Sequence, residues 1–190
     1  STAIATSLPA IALDFGVEPV ALKLALTTYM LALAVFIPVS GWVADRFGAR
    51  PTFMVAIGVF LLGSIGCASA DSLGALVAAR FLQGMGGAMM VPVGRLVILR
   101  SIAKAQLVRA LSWLTVPALL GPMMGPPLGG LITTYGNWRY IFLINIPIGL
   151  AAILLTLRFV PESRAPRPRR FDPVGQVLIM LLLSTLTFGI

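Results

Sequence analysis

The chain has 190 residues, of which 58% are hydrophobic and only 11% are charged. Soluble domains are about one quarter charged, so this composition excludes a water-soluble fold. The formal net charge of +8 would suit a nucleic-acid-binding protein. However, the basic residues lie in short segments between long apolar runs, which is typical of membrane topology. We therefore expect an all-α, polytopic membrane helix bundle without a nucleic-acid partner.

Seven apolar segments follow one another along the chain. The first is too short to cross a bilayer, which takes roughly 20 residues, and the last has no flank, so we expect both to belong to longer helices. Asp71 or Ser72 is expected to cap the fourth segment, Asn137 the sixth, and Asp172 before Pro173 the seventh. The segments cover residues 1–13, 22–44, 52–70, 73–99, 110–133, 140–160 and 173–190.

Basic residues are concentrated in alternate loops. One set of loops carries most of the 14 Lys and Arg residues, whereas the other set carries only Lys23 and Arg139. The positive-inside rule puts the basic set in the cytoplasm, which predicts a multi-pass membrane protein with a cytoplasmic amino terminus. The basic loops cover residues 45–50, 100–109 and 158–172.

A loop rich in glycine and charge joins the second and third segments, with the sequence GWVADRFGARP at residues 41–51. Gly41 would allow close helix approach, and Gly48 would permit a tight turn. Asp45, Arg46 and Arg50 could form a charge cluster at the helix ends. The alternative interpretation is an ordinary charged loop.

The fourth segment contains a buried-charge motif, RFLQGMGGA at residues 80–88. Arg80 lies about eight residues inside the segment, roughly 12 Å deep. A charge there costs about 2.5–3.5 kcal/mol, so the arginine should face the bundle interior and a partner. Gly84 and Gly86 would leave room for a neighbouring helix, and Gln83 completes the motif. Arg80 either has a functional role at this depth or only ties helices together through hydrogen bonds.

The fifth segment carries a glycine-proline motif, GPMMGPPLGG at residues 121–130. Glycines spaced four residues apart share one helix face and would let another helix pack closely. The two adjacent prolines remove backbone donors and are expected to bend the helix. The motif residues are Gly121, Gly125, Pro126, Pro127, Gly129 and Gly130.

These three motifs resemble those of the major facilitator superfamily. Residues 41–50 match its cytoplasmic signature G-x-x-x-D-R-x-G-x-R, and residues 80–88 resemble its fourth-helix motif R-x-x-Q-G-x-G-x-A. Residues 121–130 resemble the antiporter motif G-x-x-x-G-P-x-x-G-G of its drug:proton exporters. Residues 137–149 and 171–175 are similar to stretches of the exporters with fourteen transmembrane helices.

The resemblance covers nearly the whole chain and implies its domain organisation. Residues 1–160 would form the amino-terminal six-helix domain with a truncated first helix, and 161–172 a basic cytoplasmic loop. Residues 173–190 would begin a seventh helix. The family also implies a bacterial inner-membrane location and a missing carboxy-terminal half of the same chain.

The resemblance further implies roles for individual residues. The loop motif (Gly41, Asp45, Arg46, Gly48 and Arg50) would be a cytoplasmic gate that latches the outward-facing state. Arg80 would join in proton coupling by tuning a nearby carboxylate, because an arginine does not itself deprotonate. Residues 1–9 resemble the first-helix motif D-x-T-I-V-N-x-A-L-P, with Ala5 in place of Asn and the acid expected just before Ser1. None of the six acidic residues lies within an apolar segment, so we expect the protonatable carboxylate outside this chain.

The function predicted from these features is proton-coupled efflux of hydrophobic or cationic drugs by alternating access. Protons, the small-molecule substrate and membrane lipid would be the partners, and no cofactor is expected. Met85 and Met89 could line the substrate site, although packing is the other interpretation of these flexible side chains. The alternative function is a solute symporter or metabolite exporter of the same superfamily. A membrane enzyme is disfavoured because the chain has no histidine and no carboxylate pair within an apolar segment.

Overall fold

The computed structural model describes residues 2–18, 20–101, 106–160, 162 and 172–188. Every regular element in these ranges is an α-helix, so the all-α expectation is confirmed. Except for positions 162 and 172, the basic loop predicted at 161–172 lies outside the described residues. The helices are α1 (Thr2–Phe15), α2 (Lys23–Phe47), α3 (Ala49–Ala68), α4 (Leu73–Ser101), α5 (Leu107–Tyr135), α6 (Tyr140–Leu143), α7 (Asn145–Phe159) and α8 (Pro173–Phe188).

Several of these helices are built to cross a membrane. In the described ranges, four stretches are long and apolar enough to do so, the last of them joining α6 and α7. Many large apolar side chains of α5 and α8 are exposed, Trp113, Met123 and Leu181 among them. Such surfaces are stable in lipid or against other helices, so the fold is that of a multi-pass membrane protein. The four stretches are Lys23–Phe47, Ala49–Ala68, Leu73–Leu99 and Tyr140–Phe159.

The sixth apolar segment forms the predicted span, Tyr140–Phe159, with an interruption of its helical hydrogen bonds at one residue. The interruption lies at Ile144, between α6 and α7. Pro147 explains it: proline has no N–H to donate to the carbonyl of Leu143 four residues earlier, and it is tolerated in the first turn of a helix. The break therefore restarts the helix at Asn145 and leaves the path of the span largely unchanged.

The predicted caps at Ser72 and Asp172 are present, whereas the predicted cap at Asn137 is not. The backbone N–H of Ala75 donates to Ser72 Oγ at 3.3 Å, and that of Gly175 donates to Asp172 Oδ1 at 3.0 Å. These are the contacts of N-cap side chains with the third helical residue. Asn137 instead accepts from the N–H of Arg139 at 2.9 Å and forms a turn just before α6.

Helix α4 is the centre of the packing, because it contacts both α2 and α3 extensively. Helix α1 packs on α5, α7 on α3, and α8 on α2. Two apolar clusters close the opposite ends of this arrangement. One surrounds Trp138 and Phe142, and the other surrounds Ala49 and Val93.

A polar cluster ties three chain segments together at the end of the bundle that includes Trp138. We call Asp14, Asp71, Trp138 and Arg139 the Asp14 cluster. Asp14 Oδ2 accepts from Arg139 Nη1 at 2.7 Å and from Trp138 Nε1 at 3.1 Å. Arg139 Nη2 also donates to the carbonyl of Ala70 at 3.1 Å and lies 3.7 Å from Asp71 Oδ1. The cluster therefore joins the end of α1 to the α3–α4 and α5–α6 connections.

The Asp14 cluster predicts a pH dependence of stability. Hydrogen bonds from Arg139 and then Trp138 lower the pKa of Asp14 below its usual value of 3.8. A carboxyl whose pKa is lowered by folding stabilises the fold above its unfolded pKa, and this contribution is lost as the pH falls through the folded value. In the full-length wild type we expect the thermal unfolding temperature to fall as the pH drops from about 5 to about 3. Asp14→Asn should remove the part of this fall that protonation of Asp14 causes.

Asp71→Asn is the matched control, because its carboxylate is 95% exposed and lies further from Arg139. This variant should keep the wild-type pH profile. Identical profiles for Asp14→Asn and the wild type would contradict the assignment of the acid-side loss to Asp14.

Candidate functional site

A cavity of about 420 Å³ opens between α2, α3, α4, α5 and the α6–α7 span. Its size is within the range of ligand sites for small organic molecules. Most of the wall is apolar, and the polar side chains come from α2, α4 and α7. The lining residues are Tyr29, Phe60, Arg80, Gln83, Leu120, Gly121, Met124, Gly125, Leu128, Gly129, Ile132, Ile141, Phe142, Ile144 and Asn145.

Arg80 is the charged residue of this wall and is 2% exposed. Its Nη1 donates to Gln83 Oε1 at 2.5 Å, and its guanidinium carbon lies 4.1 Å from the centre of the Tyr29 ring. The prediction that Arg80 faces the bundle interior is confirmed. In the described part of the chain its partners are an amide and an aromatic ring, and no carboxylate contacts it.

A chain of polar contacts continues from Arg80 across the bundle. Gln83 Nε2 donates to Ser64 Oγ at 2.6 Å, and Asn145 Nδ2 donates to the same oxygen at 3.3 Å. Because the Ser64 oxygen accepts from both amides, the carbonyl oxygen of Gln83 is turned towards Arg80. These contacts link α3, α4 and α7, and they fix the orientation of the guanidinium.

Two glycines of the α4 motif sit at close helix crossings. A Cβ on Gly84 would lie 2.7 Å from Ala32 Cβ and 2.8 Å from the carbonyl oxygen of Tyr29 in α2. A Cβ on Gly86 would meet the backbone nitrogen of Phe60 and lie 2.6 Å from the carbonyl oxygen of Ala56 in α3. Both positions therefore require glycine, and they bring α2 and α3 against opposite sides of α4.

The glycine face of α5 forms part of the cavity wall. Gly121, Gly125 and Gly129 are lining residues. A Cβ on Gly121 or Gly130 would meet nothing within 4 Å, so no described helix packs closely at these two positions. Gly121 therefore leaves space in the cavity, and at neither position do the described residues show the close helix packing that we predicted. Helix α5 continues through Pro126 and Pro127, and the predicted bend stays a prediction.

Met85 and Met89 were substrate-lining candidates with packing as the alternative, and for Met89 the structure shows packing. Met85 and Met89 are not lining residues of the cavity, and Met89 packs against the cluster around Ala49 and Val93. Arg80 and Gln83 lie on the side of α4 that lines the cavity. Met89 lies further along the helix, against the cluster around Ala49 and Val93. Met124 of α5 lines the cavity instead.

The loop motif between α2 and α3 is a one-residue connection at Gly48. Gly48 has φ 101° and ψ 146°, a backbone conformation that is essentially restricted to glycine. A Cβ on Gly41 would meet nothing within 4 Å, so the described residues do not show the close approach expected there. Asp45 is half-buried and Arg46 is exposed. The charge cluster of Asp45, Arg46 and Arg50, and its role as a gate, stay predictions.

Arg50 makes a contact that the sequence did not indicate. Its Nη2 donates to the carbonyl oxygen of Leu157 at 2.9 Å, in the last turn of α7. The last carbonyls of a helix have no helical partner and carry partial negative charge, so a guanidinium there is stabilising. The contact fixes the end of α7 to the beginning of α3.

Ser64, Asn145 and Tyr29 are the site residues that sequence reasoning missed. Each is a polar or aromatic residue within an apolar segment, and only Asn145 belongs to a stretch, residues 137–149, that the family resemblance covers. The available signal was the cost of an unpaired polar group in a membrane helix, which makes every such residue a candidate for an interhelical hydrogen bond. Metal binding has no comparable support, since no group of three or more potential ligands occurs among the described residues.

Comparison with known sequences identifies relatives of the whole chain. The sequence model of the Major Facilitator Superfamily matches residues 1–189. The "Putative multidrug resistance protein MdtD" of Serratia proteamaculans is 43% identical over 190 residues, which is 100% of this chain and 40% of the relative. The protein of the same name from Yersinia enterocolitica is 41% identical over the same shares. The chain thus spans about 40% of the length of these curated relatives.

Solved structures share the fold. The human organic anion transporter MFSD10 (TETRAN) superimposes with a TM-score of 0.64 at 19% identity, over 96% of this chain and 44% of the transporter. An auto-inhibited peptide transporter of the POT family gives a TM-score of 0.62 at 19% identity, over 80% of this chain and 30% of that protein. The chain therefore shares its fold with part of each of these transporters.

Proposed function

Since this chain belongs to the Major Facilitator Superfamily, we propose that the whole protein is a transporter that exports hydrophobic small molecules in exchange for protons. The main supporting observation is the cavity of about 420 Å³, which is lined both by buried Arg80 and by the glycine face of α5. An apolar wall with a few fixed polar groups suits small organic molecules. The relatives named as multidrug resistance proteins support the same substrate class.

Alternating access is the proposed mechanism. Residues 1–160 would act as one six-helix half, which rocks against a second half outside this chain, with the substrate site between them. The contacts of Arg50 with α7 and of Arg139 with Asp14 support movement of this half as a unit, because they tie its two ends. Residues 41–50 would form the cytoplasmic gate, in an inner-membrane protein whose amino terminus is cytoplasmic.

Proton coupling requires a group that changes its protonation state, and Arg80 remains charged. We assign the protonatable carboxylate to the part of the whole protein outside this chain, in keeping with the first-helix motif that residues 1–9 resemble. Arg80 would favour the ionised form of a carboxylate that approaches it. Cationic drugs, which the family resemblance also implies, would need an acidic contact from that same part, because the described lining residues contain no carboxylate.

Transport by the full-length protein in proteoliposomes tests this proposal. Proteoliposomes that hold the protein in the inside-out orientation and have an acidic interior should accumulate N-phenyl-naphthylamine, a neutral apolar dye. A protonophore should abolish the accumulation. Transport that does not depend on the proton gradient would contradict the coupling. Movement of solute in the same direction as protons would favour the symporter of the same superfamily.

A further inference from the structure

We propose that the cavity binds a neutral, apolar molecule through an N–H or O–H donor, and that the side-chain oxygen of Asn145 accepts this hydrogen bond. The inference rests on the proposed transport function and narrows its substrate class. It concerns the part of the substrate site that this chain supplies.

Asn145 offers the cavity an acceptor that the protein does not use. It is a half-buried lining residue. Its Nδ2 donates to Ser64 Oγ at 3.3 Å, which orients the amide and leaves Oδ1 without a hydrogen-bond partner among the described residues. In the same part of the chain Nε and Nη2 of Arg80 are unpaired but buried, whereas Oδ1 of Asn145 is not one of the buried unpaired atoms. A ligand can therefore reach this oxygen.

The other polar side chains of the wall do not select for a donor. Both ends of the Gln83 amide are used, because Oε1 accepts from Arg80 and Nε2 donates to Ser64. The hydroxyl of Tyr29 can both donate and accept, so it is compatible with either kind of ligand. The oxygen of Asn145 can only accept, and it is therefore the group that favours an N–H or O–H on the ligand.

The place of Asn145 in the fold favours a role in binding. It is the first residue of α7, directly after the interruption at Ile144, and Ile144 also lines the cavity. Interrupted helices are tolerated in a bilayer where they line a cavity, and transporters commonly build their substrate sites from them. The interruption and the open side-chain acceptor thus lie in the same part of the wall.

Arg80 makes a neutral donor more suitable than a cationic one. The guanidinium stays charged at physiological pH, and the described lining residues contain no carboxylate that would attract an ammonium group. An ionised carboxylate from the rest of the protein would pair with Arg80, but it could not satisfy Asn145, because both groups are acceptors. The apolar part of the ligand would contact Leu128, Ile141 and Phe142.

Two matched ligands test the inference on the full-length protein in lipid nanodiscs. N-phenyl-naphthylamine has an N–H donor, and naphthyl phenyl ether has nearly the same shape with an oxygen in place of the N–H. A ligand that displaces water from Oδ1 without replacing its hydrogen bond loses affinity. We expect the amine to bind the wild type about three- to ten-fold more tightly, the equivalent of one neutral hydrogen bond. Empty nanodiscs give the partition of each ligand into lipid, which is subtracted.

Three variants assign the preference to one atom. Asn145→Leu removes the acceptor at similar size and should bring the two affinities together. Asn145→Asp keeps an oxygen acceptor and should keep or increase the preference for the amine. Tyr29→Phe keeps the ring beside Arg80 and removes the hydroxyl, and it should also keep the preference.

The possible outcomes separate this inference from the proposed function. Equal affinity of the wild type for the two ligands, tighter binding of the ether, or no binding of either would overturn the inference. Export of N-phenyl-naphthylamine driven by the proton gradient would still support the proposed function in each case. A preference that survives in Asn145→Leu, or that is lost in Asn145→Asp, would overturn the assignment to Oδ1. The comparison on the wild type decides the first question even if a variant does not fold.

Discussion

Gly86→Ala is expected to lower the free energy of unfolding of the full-length protein by about 1–3 kcal/mol, the usual cost of overpacking a tight interior. The new methyl group would meet the backbone of Phe60 and lie 2.6 Å from the carbonyl oxygen of Ala56. Backbone atoms cannot move aside as a flexible side chain can, so α3 and α4 would have to separate. This helix pair has the most extensive contact in the described structure, which is why the effect should be large.

Gly58→Ala is the matched control for this change. Gly58 is also in the middle of a membrane-crossing helix, but a Cβ there would meet nothing within 4 Å. Alanine favours helix over glycine by roughly 0.5–1 kcal/mol, so the control should be neutral or slightly stabilising. Unfolding in mixed micelles with increasing sodium dodecyl sulfate measures both variants. If Gly86→Ala is as stable as the control, the α3–α4 contact is not tightly packed.

The sequence predicted the helices well because their ends carry local signals. Ser72, Asp172 and Gly48 act through their own backbone neighbourhood, and the structure shows each where the sequence placed it. The membrane segments were visible because lipid demands long apolar runs. The break at Ile144 was missed, since Pro147 fits the first turn of a new helix as well as it fits a continuous span with one lost hydrogen bond.

The faces of the helices were much harder to predict than their ends. In a soluble helix the polar face marks the outside, but lipid and protein interior are equally apolar, so a membrane helix has little such contrast. For Met85 and Met89 the sequence therefore left both substrate lining and packing open, and the structure shows that Met89 packs in an apolar cluster. Arg80 was placed correctly because a charge has a strong preference for the bundle interior. Ser64 and Asn145 became visible only when the packing of α3 on α4 and α7 was known.

The second large effect is expected at Gln83, which holds the polar contacts of the cavity together. Gln83→Leu would remove the acceptor of Arg80 Nη1 and the donor to Ser64 Oγ. Hydrogen bonds between membrane helices average only about 0.6 kcal/mol. A buried guanidinium that loses its acceptor carries a higher cost, so we expect a loss of about 1–3 kcal/mol in unfolding free energy.

Two further variants separate this loss from a general effect of the substitution. Gln106→Leu changes the same side chain at an exposed position before α5 and should leave stability within about 0.5 kcal/mol of the wild type. Gln83→Glu keeps an acceptor for Arg80 and can accept from the hydroxyl of Ser64, so it should recover stability. A Gln83→Glu protein that is no more stable than Gln83→Leu would mean that the loss does not come from the missing acceptor of Arg80.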